Sequence, residues 1–157
     1  MQTILHSLER RFDDLHERSV RLLSSIPEEQ LFDAGIRAND RLQEVTFAYF
    51  LIRSAAEVER VFGGITTRLW DDPFEWTLPE ELSSKKRIHD YLNEVELARK
   101  KGVATLGNDE TLLRSIPAPV ELKTVIEILL ESLCKAEESL GQAQAVARSF
   151  YLRGKMR

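Results

Sequence analysis

The sequence has a single cysteine in 157 residues, Cys134, so no internal disulfide can brace the fold. Glycine and proline are scarce as well, at 7 and 5, which excludes collagen-like and low-complexity chains and leaves a globular composition. No apolar run approaches the ~20 residues that a membrane-crossing helix needs. The opening stretch turns charged at Glu9 and Arg10, too early for the apolar region of a signal peptide. The expectation is a cytoplasmic protein with no membrane partner.

An excess of positive charge is also missing. The chain carries 22 basic and 26 acidic side chains, a net charge of -4, and therefore no general attraction to nucleic acid. Its two basic clusters, Lys85-Lys86-Arg87 and Arg148 with Arg153, Lys155 and Arg157, read as a solvated helix face and a helix end. There is no G-x-S-x-G elbow, no phosphate-binding G-x-x-x-x-G-K-[ST] loop and no dinucleotide fingerprint after a strand. Neither His-x-x-x-His nor His-Glu-x-x-His occurs, and with them go the strongest signs of zinc.

What the sequence does have is helical periodicity. At this length one domain, 1–157, with one core is expected. Ile4, Leu8, Phe12, Leu15, Leu22 and Ile26 recur at three- and four-residue steps and predict a helix from about Thr3 to Ser25, stopped by Pro27. A second helix, capped by Asn39 or Asp40, carries Leu42, Val45, Tyr49, Ile52, Ala56, Val61 and Phe62 inward and ends at Gly63-Gly64. Both tryptophans, Trp70 and Trp76, fall in a long connection from Thr66 to Pro79 that is expected to pack rather than dangle.

Ser83 or Ser84 begins a third helix with Ile88, Tyr91, Leu92, Val95 and Ala98 on its inner face and Glu94, Glu96, Arg99 and Lys100 largely outside it; Gly102 ends or interrupts it. A fourth and longest helix follows Pro117-Ala118-Pro119, its seam running through Leu122, Val125, Ile126, Leu129, Leu133, Ala136, Leu140, Ala143, Ala147 and Phe150. Cys134 lies among leucines and is expected to be a buried structural thiol. No segment reads as a strand. The fold predicted is all-α, a four-helix bundle.

Candidate chemistry is thin. Asp13 and His16 share a face of the first helix, but neither His6 nor His89 has a carboxylate three residues before it, as a di-iron bundle would require. The pairs Glu57 with Glu59 and Glu137 with Glu138 read as solvated charge. A polar row in helix four, Glu127, Glu131, Lys135 and Glu138 with Ser139, runs beside the seam, with part of it a candidate to point inward.

Four strings now acquire a common meaning: Arg18-Ser19-Val20-Arg21-Leu22-Leu23, Arg53-Ser54-Ala55-Ala56-Glu57, the run from Trp70 to Pro79, and Leu140-Gly141-Gln142. In these strings, in length and in order of parts, the chain resembles the DinB/YfiT-like superfamily of bacterial four-helix bundles. The resemblance implies a long crossover between helices two and three, frequent homodimers, and in many members a divalent metal held by one histidine of helix two and two of helix four. Some of those members are thiol-dependent transferases or hydrolases.

In this sequence the implied ligand positions fall near Arg53, Lys135, Glu138 and Ser139, so the metal site is degenerate and no metal or cofactor is expected. A hydrogen bond between Arg53 and Glu138 across the old site is one expectation; both side chains reaching solvent is the other. Two functions stay open. One is a non-catalytic or small-molecule-binding bundle. The other is a transferase or hydrolase, metal- or thiol-dependent, with a site rearranged around Glu138, His16 or His89, and its catalytic residues are unknown. A link to stress is implied by the superfamily's name alone.

Overall fold

Leu5, Leu8, Phe12, Leu15, Ser19 and Leu23 form one buried stripe, and the segment that carries them is helix α1 (Thr3–Ser25). The computed structural model describes residues 3–33, 46–71, 73 and 81–155. A distant residue starts α1: the Asp109 carboxylate accepts from the free N–H groups of Ile4 (3.1 Å) and Leu5 (2.8 Å). Its far end is held by Lys85, whose Nζ donates to the carbonyls of Ser24 (3.1 Å) and Ile26 (2.7 Å). Lys85 is thus more than part of a solvated face. Pro27 stops the helix, and a short 3₁₀ turn, Glu28–Gln30, leads to the fully buried Leu31.

Helix α2 (Phe47–Thr67) begins at Thr46, whose hydroxyl accepts from the Tyr49 N–H at 3.1 Å. The predicted cap at Asn39 or Asp40, with Leu42 and Val45, lies outside the described residues. Gly63-Gly64 does not end the helix. Ile65 beyond it is buried and holds the helix one turn longer, until Arg68 takes the left-handed conformation (φ 63°) and donates its N–H to the Gly64 carbonyl at 2.8 Å. Gly64 serves closeness instead, since a Cβ there would fall inside the Trp70 ring.

Helix α3 (Lys85–Leu106) is capped by Ser84 and ends at Gly107 (φ 79°). Gly102 neither ends nor interrupts it: it is buried, and a Cβ there would stand 2.6 Å from Cδ1 of Phe62. The inner face of α3 is also not quite the one predicted. Ala98 is exposed, whereas Arg99 is buried, its charge met by Glu96 on the same helix and Asp13 of α1.

A single helical turn, α4 (Asp109–Leu112), precedes two strands the periodicity does not announce. Strand β1 (Ser115–Pro117) pairs antiparallel with β2 (Leu122–Thr124), Ile116 opposite Lys123. Three residues per strand are too few for an alternating pattern to stand out, and Pro117, with no N–H to donate, argues against a strand from sequence alone. Pairing takes Leu122 out of the helix seam, and it is 69 % exposed.

Helix α5 (Val125–Lys155) starts with a capping box in which the Thr124 hydroxyl accepts from the Glu127 N–H and the Glu127 carboxylate from the Thr124 N–H. Val125, Leu129, Ala136, Leu140, Ala143 and Phe150 form its seam as predicted. Cys134 is exposed, not buried: it shares an outward face with the exposed Leu130, one turn back, and the inner face is taken by Ser132 and Ala136.

The described chain is therefore almost wholly helical, with one small sheet. Helix α2 packs along both α5 and α3, and α1 closes over α3 and α5. One continuous core joins them, with Phe12 edge-on to Phe62 (centroids 5.4 Å apart) near its middle. Among the described residues no helix is long and apolar enough to cross a membrane. Gly102→Ala should lower the melting temperature: the gain of about 1 kcal/mol in helix propensity is outweighed by roughly 1–3 kcal/mol of overpacking against Phe62. A paired Gly102→Ala and Phe62→Leu variant, which makes room for the methyl group, should melt above Phe62→Leu alone.

Candidate functional site

Helices α2 and α5 approach closely because the inner face of α5 is lined with small residues, Ser132, Ala136, Ser139 and Ala143. The Ser54 hydroxyl donates to the Ala136 carbonyl across the interface, at 2.8 Å and fully buried. Toward the start of α5 the two helices leave a cleft of ≈ 170 Å³ between them. Glu57, Arg60 and Val61 form its α2 wall, and Ile128, Glu131, Ser132 and Lys135 its α5 wall. The β1–β2 turn, Ala118 to Val120, and Lys123 close one side. Trp70 closes another, its indole N–H donating to the Pro117 carbonyl at 3.2 Å.

The charges of the cleft are mostly spoken for. Arg60 forks onto Glu57 (3.0 and 3.3 Å), and Lys123 Nζ sits 2.8 Å from both oxygens of Glu131, which raises its pKa above the ordinary lysine value. Lys135 has no ion-pair partner among the described residues, so the cleft carries one uncompensated positive charge. Beneath it lies Ser132, 0 % exposed, whose Oγ has no hydrogen-bond partner. Buried Ser19, by contrast, donates to the carbonyl four residues back, at 2.8 Å. An unpaired buried hydroxyl costs roughly 1–3 kcal/mol.

Of Arg53, Lys135, Glu138 and Ser139 the cleft gathers Lys135 alone, together with Glu57 and Glu131 from the other polar residues singled out. Arg53 is exposed and donates to the Tyr49 hydroxyl at 2.9 Å, with its guanidinium over that ring. Glu138 is exposed, and the two form no ion pair, so the bond across the interior does not exist. Ser139 is buried in the α2–α5 seam. Two cations, a hydroxyl and one outward carboxylate do not fit a divalent metal, and no group of three or more His, Cys, Asp or Glu among the described residues converges to hold one. The carboxylate pairs also separate: Glu57 serves Arg60, Glu59 accepts from the Tyr91 hydroxyl (2.6 Å), and Glu137 takes both Nη atoms of Arg18.

A second polar cluster joins α1 to α3. The Arg99 guanidinium, 1 % exposed, donates to both oxygens of Glu96 (2.9 and 2.6 Å) and to Asp13. Burial alone would lower its pKa, but the two carboxylates outweigh burial and raise it. Its Nη1 has no partner and borders a small void beside Phe12, His16 and Ser54. Asp13 therefore answers Arg99 rather than His16. The His16 pKa is lowered, first by burial and then by the cations Arg99 and Lys100 and by His89, against the opposing pull of Glu96. His6 is exposed, 3.9 Å from Glu9, and His89 meets Asn93 at 3.3 Å. Sequence periodicity missed Arg99 and Ser132 because a polar residue on an inner face looks like an error until its surroundings are known.

Removing Arg99 as Arg99→Met leaves Glu96 and Asp13 facing each other and should cost about 3 kcal/mol or more in a denaturant titration. His16 gives a separate signature. With its folded pKa below 6.5, the unfolded chain binds the extra proton first, so stability is full above the ordinary imidazole range and falls as pH drops below about 6.5. His16→Gln should flatten that slope between neutral pH and the carboxylate range, leaving the steeper loss below about 4.5 where Glu96 titrates.

Comparison of the chain with protein-family models, with curated proteins and with solved structures finds no match, so what this site does is read from its own geometry.

Proposed function

We propose that this chain is a metal-free four-helix bundle of the DinB/YfiT-like kind, one domain with a long crossover, that binds a small molecule in the cleft between α2 and α5. The observation that carries the reading is the cleft itself, concave and partly apolar, between α2 and α5. Its acidic side chains are paired, and its remaining cation, Lys135, has no ion-pair partner among the described residues. Polar groups kept unpaired at the wall of a concave, partly apolar site are what ligand recognition requires.

Four long helices in the expected order support the bundle part of this reading, and the four sequence strings support the superfamily part. The cleft opens between the two helices from which relatives would draw metal ligands, so the same interface is read here as a seat for a molecule in place of an ion. The basin around His16 offers a weaker case for catalysis. It holds an imidazole with a depressed pKa, but two of its carboxylates, Asp13 and Glu96, are committed to Arg99.

A thermal-shift screen of small molecules, with NMR mapping of the hits, tests the reading. A ligand at about ten times its Kd should add roughly 1.4 kcal/mol, a rise of about 3–5 °C for a chain of this size, and should perturb the amides of Trp70, Ser132 and Lys135 together. Hits scattered over the surface would sink the cleft as a ligand seat. Stoichiometric nickel or zinc retained after dialysis would overturn the metal-free part.

A further inference from the structure

Helix α5 packs with one face and leaves the opposite face to solvent. The seam through Ala136, Ala143 and Phe150 is buried in the core; across the helix from it, Leu130, Cys134, Gly141, Ala145 and Leu152 follow at steps of four and seven, and all are exposed. Gly141 stands at the middle of this outer face. A glycine inside an exposed helix costs about 1 kcal/mol against alanine, and beyond its own helix nothing lies within 4 Å of where its Cβ would be, so no contact inside the molecule asks for it. What the missing Cβ permits is close approach from outside.

Charge narrows what approaches. Before Gly141 the outer face is acidic, with Glu138 and with Glu137, which already holds Arg18; after it the face is basic, with Arg148 and Lys155. Glu138 and Arg148 are exposed, and neither forms an ion pair among the described residues. Ten residues of helix, about 15 Å, keep them from meeting each other. Leu130 and Leu152 are equally far from Gly141, on its two sides. A second α5 laid antiparallel across the first at Gly141 sets Leu130 of each copy against Leu152 of the other, and brings each Arg148 within a turn of the other copy's Glu137 and Glu138. A parallel pairing would set acid on acid and base on base.

We infer that the outer face of α5 is the interface of a symmetric dimer, two copies of this chain crossing antiparallel at Gly141. The face is its own complement in charge and in leucine spacing, which is what a two-fold contact requires. The cleft between α2 and α5 takes no part, since Ile128, Ser132 and Lys135 of its wall belong to other faces of the helix.

Sedimentation equilibrium tests this. The chain should pass from monomer to dimer with a Kd of roughly 1–100 µM, the weak association expected of a contact confined to one helix face, and salt should weaken it several-fold between about 0.05 and 0.5 M by screening exposed pairs. Arg148→Glu and Glu138→Lys should each weaken it at least tenfold, and the two variants mixed should associate more tightly than either alone. Gly141→Leu should also weaken it at least tenfold, while the melting temperature of the dilute monomer holds or rises, because leucine is the better helix former and meets open space. That separates lost association from lost folding.

Leu130→Cys combined with Leu152→Cys, in a Cys134→Ser background, should be joined between chains by a short bis-maleimide. Within one chain the two thiols lie about 33 Å apart along α5 and cannot be bridged. Neither cysteine alone should cross-link. A chain that stays monomeric at about 1 mM overturns the dimer and leaves the face to a partner of different sequence. A dimer indifferent to Arg148→Glu and Gly141→Leu, or one cross-linked by Leu130→Cys alone, overturns it as well, by putting the contact on another face or in a parallel sense.

Discussion

The arrangement turns on how closely α2 can lie against α5. On α5 the small residues Ser132, Ala136, Ser139 and Ala143 recur at steps of three and four, and α2 settles into the strip they leave, locked by the Ser54 hydroxyl on the Ala136 carbonyl. With α2 so placed, Phe62 comes to rest on Gly102 of α3 and edge-on to Phe12 of α1, so one small-residue strip sets the position of three other helices.

Charge does the remaining work of orientation. Lys85 closes the end of α1, Asp109 opens its start, Arg18 ties α1 to Glu137 of α5, and Arg99 reaches from α3 to Asp13 of α1. Each contact joins elements far apart in sequence. Apolar stripes tolerate sliding and rotation, whereas a guanidinium between two carboxylates does not, so these bonds favour one packing among several that burial alone would allow. Arg99 is almost fully buried, and it exacts a strict requirement: its carboxylates must stay.

The residues that stand where the resemblance implies metal ligands have dispersed. Arg53 turns outward to Tyr49, Glu138 faces solvent, Ser139 joins the seam, and Lys135 alone borders the cleft. The interface between α2 and α5 nevertheless keeps polar character, now through Ser132, Lys135 and the two neutralised acidic groups. The chemistry left at that interface is hydrogen bonding and one positive charge, which suits recognition better than bond making.

By itself the sequence determined the helical class, the span of α1 at about Thr3–Ser25, the start of α3 to within Ser83 or Ser84 and most of the α5 seam, because apolar residues at three- and four-residue steps must share a face and caps act within a few positions. Only the tertiary structure decided the inward turn of Arg99, the outward turn of Cys134, the passage of α2 through Gly63-Gly64, and the pairing of β1 with β2. Arg99 turns on a partner remote in the chain, Asp13, as the close fit of Gly102 turns on Phe62, and the others depend on packing that the local pattern does not carry. The cleft belongs to this second group. Ser132 is an ordinary helical serine until α2 covers it, and what makes it notable is an interaction it lacks, which only a packed structure can reveal.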